Sequence, residues 1–361
     1  MTRSLPALIF VGLVIAACTV PVATPSPNEG QTGAPATATA SPTRPAAVAT
    51  GGTRYTATEL FQLQIQPTAI AADASQVYVA EVALGAKPQG TLSKVVVVSV
   101  SGGTPAPVPG SDTPASVGIT GLAVHDNALY LSEGSNSSVR LNGVFRLSSG
   151  TVTPVAGGPG APADLSHGNG DGGPALNAAL QGPWAIAFSV AGDLYVAEQG
   201  DSRLRVVRGQ TITTYAGGNG CTTVGDINTP PTGTATTAKL CLAALVAVDP
   251  DGFVYLAELA RATWIVRIDP SGVVSTISSS FAVTGLAVDR NGDLLAADAT
   301  GDRIVRFARA HPDQTSVMAS GIGHIVALAT SPDGSVYVAN WQDHDPSQAV
   351  TYKITRLMPS P

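Results

Sequence analysis

Six segments of the chain repeat one alternation of apolar and polar positions: IAADASQVYVAE, LAVHDNALYLSE, IAFSVAGDLYVAE, VAVDPDGFVYLAE, LAVDRNGDLLAAD and LATSPDGSVYVAN. Each predicts a short apolar strand, a tight turn and a second strand ending on a polar residue. Turns such as PDG, NGD and AGD between alternating runs mark hairpins. One alanine recurs in every first strand: Ala71, Ala123, Ala187, Ala247, Ala287 and Ala329. A small residue at a fixed place is what close packing around a central axis needs. A third strand follows each hairpin (KVVVVSV, GVFRLSS, RLRVVRG, WIVRIDP, RIVRFAR, YKITRLM), then a fourth (TVTPVAGG, TITTYAGG, VVSTISS, TSVMAS). The first unit's fourth strand, near TPAPVPG, is poor, because proline is confined to sheet edges.

Four strands per unit, repeated six times, predict an all-β chain: a six-bladed β-propeller of four-stranded antiparallel blades. The last unit runs out of chain at LMPSP before a fourth strand. The segment TRYTATELFQLQI (Thr53–Ile65) precedes the first unit, and its residues from about Thr56 to Gln64 are expected to pair with YKITRLM, closing the ring. Unit three, GDGGPALNAALQGPWAIAFSVAGDLYVAEQGDSRLRVVRGQTITTYAGG, resembles an NHL repeat in its glycine-rich lead-in, its LYVA-acid turn and its R-x-R third strand. The resemblance covers most of Gln66 to Pro361 and implies the same six-bladed fold. It leaves function open, because propellers host both binders and enzymes.

Ahead of the repeats, residues 1–18 read as a signal peptide. Arg3 precedes an apolar stretch, Leu5–Ile15, with the length of a signal h-region. Ile15-Ala16-Ala17-Cys18 resembles the lipobox of bacterial lipoproteins, which implies lipidation of Cys18. Residues 19–53 are nearly all Pro, Ala, Thr, Ser and Gly and are expected to form a disordered tether. The propeller, 54–361, is then extracytoplasmic, monomeric and in touch with the membrane only through its lipid. In such a compartment Cys221 and Cys241 are expected to pair. A net charge of −6 offers nothing to attract nucleic acid.

Two insertions, 159–182 and 219–240, interrupt the repeat. The first contains GNGDGG, yet no Glu closes a twelve-residue calcium loop and no G-K-[ST] follows. Asp171 therefore reads as a turn-former in a connector, with a short helix, PALNAAL, behind it. Strand alternation places both insertions on one face, with the residue ending each second strand: Glu81, Glu133, Glu198, Glu258, Asp298 and Asn340. This acidic ring reads as structural, Glu198 pairing with Arg203 and Asp298 with Arg303. Three residues before each marker alanine stand Thr68, Thr120, Trp184, Ala244, Thr284 and Val326, expected to line the channel mouth.

Gluconolactonase-like propellers hold a divalent metal with carboxylates and amides at that mouth. Here the ring offers hydroxyls and apolar groups, so no cofactor is expected, with calcium as the exception to watch. His125, His167, His311, His324 and His344 are scattered, His324 and His344 falling near the mouth and a top loop of unit six. The favoured expectation is a cell-surface, lipid-anchored binding module. Its partner would be a protein, glycan or small molecule held on the long-loop face by Trp184, Thr68, Thr120, Thr284, His324 and Asp171. The alternative is an extracytoplasmic metal-dependent hydrolase or lyase using the acidic ring or His324. A quinone-dependent dehydrogenase comes third, for want of a dense Arg and His cradle.

Overall fold

The computed structural model of the chain describes residues 55–82, 93–111, 118–134, 142–158, 170–218, 220–221, 229–258, 264–278, 280–298, 300–342 and 350–360. Cys18, the stretch 19–53, the parts 159–169 and 222–228 of the insertions, His167 and His344 lie outside the described residues. Six antiparallel sheets are present, and the first strands of consecutive sheets touch in a closed cycle, the sixth meeting the first. This is the six-bladed propeller that the repeat predicts.

Local chemistry explains the hairpins. In blade four the first strand, Ala243–Val248, ends at Asp249, whose carboxylate accepts the Asp251 and Phe253 N–H groups at 2.9 Å each. Gly252 then takes φ 85°, a conformation that only glycine adopts without strain. Asp289 caps the equivalent turn of blade five through the Asn291 and Asp293 N–H groups.

The ring closes as expected. Tyr55–Leu63 is the outermost strand of blade six and pairs antiparallel with Tyr352–Pro359, Thr56 opposite Met358 and Leu63 opposite Tyr352. Tyr55, Phe61 and Leu63 are buried in this arrangement. Fully burying one such side chain stabilises by roughly 1.5–3 kcal/mol. In blade one the fourth strand shrinks to Ala106–Pro107.

Two expectations are corrected. The marker alanines do not face the axis. They lie opposite a large side chain of the second strand: Ala71 opposite Tyr78, Ala123 opposite Tyr130, Ala187 opposite Tyr195, Ala247 opposite Tyr255 and Ala329 opposite Tyr337, with Leu295 facing Ala287. The alanine makes room for that ring. The channel is lined instead by the residue before each alanine, Ile70, Leu122, Ile186, Val246, Leu286 and Leu328. Likewise PALNAAL is no helix beyond one 3₁₀ turn, Ala175–Asn177.

Both connectors are wedges. Ala175, Ala178 and Leu180 pack with Val144 and Ala156 of blade two and Val207 and Ile212 of blade three. One blade later, Ala235, Ala238 and Leu240 pack between Leu204 and Val206 of blade three and Val266 and Ile268 of blade four. Gly233–Thr234 also adds a fifth strand to the outer edge of blade four. Cys221 and Cys241 form the expected disulfide, their Cα atoms 5.2 Å apart.

Candidate functional site

The six residues expected at the channel mouth share a feature invisible in the repeat. In every blade the register of the first hairpin slips at that position: between Pro67 and Ala69, Ile119 and Gly121, Pro183 and Ala185, Ala243 and Leu245, Val283 and Gly285, and Ile325 and Ala327. Thr68, Thr120, Trp184, Ala244, Thr284 and Val326 are thus bulge residues, which re-aim a side chain out of the sheet plane. The threonines turn toward the next blade. Thr68 Oγ1 donates to the Ile119 carbonyl at 2.8 Å, Thr120 Oγ1 to the Pro183 carbonyl at 2.8 Å, and Thr284 Oγ1 to the Ile325 carbonyl at 2.7 Å. Their hydroxyl protons hold neighbouring blades together and leave only lone pairs for a ligand.

Thr68, Thr120, Thr284 and Val326 line the channel; Trp184, half-buried, and Ala244, buried, do not. The channel cavity is about 90 Å³. Pockets that enclose organic ligands run from roughly 300 Å³ upward. The channel is therefore too small to enclose an organic ligand. Among the described residues no three His, Cys, Asp or Glu side chains converge at the mouth, so a calcium ion there would have only the threonine oxygens and backbone carbonyls for ligands.

The acidic ring is buried. Glu81 meets Lys94 at 3.2 Å, and Asp298 accepts the Thr300 and Gly301 N–H groups and Arg303 Nε, the last at 2.9 Å as expected. Glu258 accepts the Cys241 N–H at 2.9 Å, and Glu198 is held similarly by the Gln181 backbone. Asn340, in the sixth place, donates its amide to the Ile322 carbonyl. In blades three, four and six this residue thus pins the connection entering its own blade, two positions before the first strand. Burial pushes the carboxyls up, to about 7 for Glu133 and about 8 for Glu198 and Glu258.

One pairing is corrected. Glu198 lies 3.9 Å from Arg205, not against Arg203, although Arg203 is its partner in register. Arg203 is claimed by Asp201 at 3.1 Å and by Asp171. Asp171 is more than a turn-former. Its carboxylate accepts hydrogen bonds from Arg205 at 2.5 Å and from Thr214 Oγ1, locking the connector onto blade three. That places Asp171 on the flank of the blade, with its carboxylate already engaged.

His324 is placed differently. It opens the first strand of blade six, His324–Thr330, on the loop face, and its ring stacks on Trp341 with centroids 4.3 Å apart. The connection before it is fixed three times over. The Gly321 N–H reaches the Asp302 carbonyl at 3.0 Å, the Gly323 N–H reaches the Asp302 carboxylate, and Asn340 holds Ile322. His125 instead stacks on Phe188 at 4.2 Å, and His311 sits in the turn joining the last two strands of blade five, on the opposite face. Trp341 and Asp302 were missed by sequence reasoning. The pairing of Trp341 with His324 could have been read from the hairpin, since the two are opposite in register.

No family model and no curated protein sequence matches the chain. Solved structures do. A gluconolactonase from Xanthomonas campestris is 12% identical over 89% of this chain and 99% of its own, with a TM-score of 0.57. An aldose sugar dehydrogenase from Streptomyces coelicolor, solved with PQQ bound, is 14% identical over 85% and 99%, with a TM-score of 0.52. A streptogramin B lyase is 16% identical over 85% and 98%, with a TM-score of 0.51. At these identities the likeness shows the six-bladed fold. All three are enzymes, and this corrects the expectation of a surface-displayed binding module.

Proposed function

We propose that the chain is an extracytoplasmic hydrolase or lyase that opens an ester or lactone at the mouth of its propeller, with His324 as the proton-transfer group. The observation that carries the reading is the presentation of His324. Among the described residues it is the one imidazole on the loop face, oriented by Trp341 and set on a connection fixed by Asp302 and Asn340. Imidazole exchanges protons near neutral pH, and a base fixed in orientation needs no reorganisation when it acts. In a hydrolase it would take the proton of the attacking water; in a lyase, a carbon-bound proton of the substrate. The fold shared with a gluconolactonase and a streptogramin B lyase supports that choice of chemistry. The lipobox-like Ile15–Cys18 supports placement on a lipid anchor outside the cytoplasm, and the lead-in of unit three supports NHL-type ancestry for the blades.

The test is a panel of lactones and esters turned over in water enriched in ¹⁸O, with products weighed by mass spectrometry. Hydrolysis adds one labelled oxygen. A lyase releases an unsaturated product of unchanged total mass and no label. No turnover of any member would overturn the proposal.

A further inference from the structure

The wedge that the chain itself fills between blades two and three and between blades three and four stands open between blades four and five. Residues 158–182 join blades two and three and 218–242 join blades three and four, but only 279–282 separate Ser278 from Val283. The gap left is a cleft of about 370 Å³, within the range that holds ligands. Its walls include Ile277 and Phe281 on one side and Arg303, Val305, Thr315 and Val317 on the other.

The register of the third and fourth strands makes these walls equivalent to the ones already occupied. The bulge falls between Leu204 and Arg205, Ile265 and Val266, and Ile304 and Val305 in blades three, four and five. Arg203, Arg205, Ile212 and Thr214 of blade three therefore correspond to Arg303, Val305, Thr315 and Val317 of blade five. In blade three those positions hold Asp171, Ala175, Ala178 and Leu180. Gly172 N–H donates to the Ile212 carbonyl at 2.8 Å, and the Ile212 N–H donates to the Gly173 carbonyl at 3.1 Å. In blade four they hold Ala235, Ala238 and Leu240, with Gly233 paired to Val274. Both occupants read Ala-x-x-Ala-x-Leu: a short bridge to the outer strand of the blade they precede, Pro174 to Thr211 and Gly233 to Val274, is followed by a turn, with the Ala178 N–H donating to the Ala175 carbonyl and the Ala238 N–H to the Thr234 carbonyl. In blade five that outer strand, Thr315–Ser320, is the edge of its sheet.

Charge sets the third requirement. In blade three Arg203 turns Nε to Asp201 and a terminal nitrogen to Asp171, four residues before the first alanine. Blade four has Trp264 in the arginine's place and Pro231 in the aspartate's. Blade five has the arginine again: Arg303 turns Nε to Asp298, lines the cleft and is 41% exposed.

We infer that this cleft is a docking groove for a segment of a partner protein with the pattern Asp-x-x-x-Ala-x-x-Ala-x-Leu, which bridges to the sheet edge and then turns into the wedge. Its backbone adds to the edge at Thr315, its small side chains enter the wedge, and its acid meets Arg303. The groove lies on the flank of the ring, away from the channel mouth, and is independent of the proposed chemistry.

The peptide GDGGPALNAAL, the chain's own 170–180, is the probe. It is titrated into the ¹⁵N-labelled protein, and the same sequence is separately grafted between Ser278 and Val283. The peptide is expected to bind saturably, with shifts at Arg303, Thr315 and Val317. Its Asp→Asn form should bind about two- to fivefold more weakly, the effect of a half-exposed ion pair. Arg303→Gln should erase that difference. The grafted protein should melt at a higher temperature and bind no peptide; should the graft not fold, Val317→Trp, which fills the cleft, must abolish binding instead. Absence of saturable binding up to millimolar peptide, shifts centred on the loop face, undiminished binding by the filled variants, or a concentration-dependent dimer that occupies the cleft would each overturn the inference.

Discussion

Replacing Asp171 by Asn tests the role of the first connector. The substitution keeps shape and removes one charge, and the residue it strands is Arg205, whose side chain is 0% exposed. Arg205 would retain the Ala179 carbonyl at 3.4 Å and Glu198 at 3.9 Å, whose carboxyl burial pushes up to about 8. Breaking a buried ion pair from one side costs about 3–5 kcal/mol. Asp171 is itself 32% exposed, so water enters in its place and the low end, about 3 kcal/mol, applies. For a domain of this size that corresponds to a fall in melting temperature of roughly 5 °C. Urea unfolding at pH 7 measures it, with Asp171→Asn/Arg205→Met as the control that removes both charges. The double variant should recover most of the loss, because no uncompensated charge remains. A single variant within 0.5 kcal/mol of the parent, or a double variant less stable than the single, would refute the reasoning.

Glu258 supplies a pH signature. Burial raises its carboxyl from 4.5 to about 8, so between those values the folded chain holds a proton that the unfolded chain has released. Its contribution is full below pH 4.5 and is lost as the pH rises through 8, with a slope up to about 1.4 kcal/mol per pH unit. Glu258→Gln, already neutral, should flatten that part of the stability curve; an unchanged curve contradicts the burial argument. Thr284→Val should leave the Ile325 carbonyl without its hydroxyl partner and destabilise by about 1–3 kcal/mol without altering catalysis. A selective loss of turnover with intact stability would instead make that threonine a substrate ligand. Removing both Cys221 and Cys241 should lower stability by about 3 kcal/mol in denaturant, and no change would show that the bridge constrains little of the unfolded chain.

The ring was legible because its cause is periodic: six hairpins recur, and a missing last strand has a matching spare at the other end of the fold. The acids ending the second strands were legible as a ring for the same reason. The bulges were not, since one residue slipping out of register leaves no mark on the alternation around it, and the bulge decides where Thr68, Thr120 and Thr284 point. The marker alanines misled because smallness has two causes, and the tyrosine across the hairpin was the better one. The catalytic candidate was visible as His324 but not as a site. What orients it comes from Trp341, seventeen residues on, and from Asp302 of the preceding blade, contacts that only the folded ring creates.

The central claim is that His324 moves a proton in the opening of an ester or lactone. His324→Ala, compared with the parent on the best substrate of the panel and at matched melting temperature, tests it most directly. The account predicts a loss in kcat of about 10²- to 10⁴-fold with KM little changed, the range for removing a general base. Parental turnover in a fully folded His324→Ala protein would contradict it.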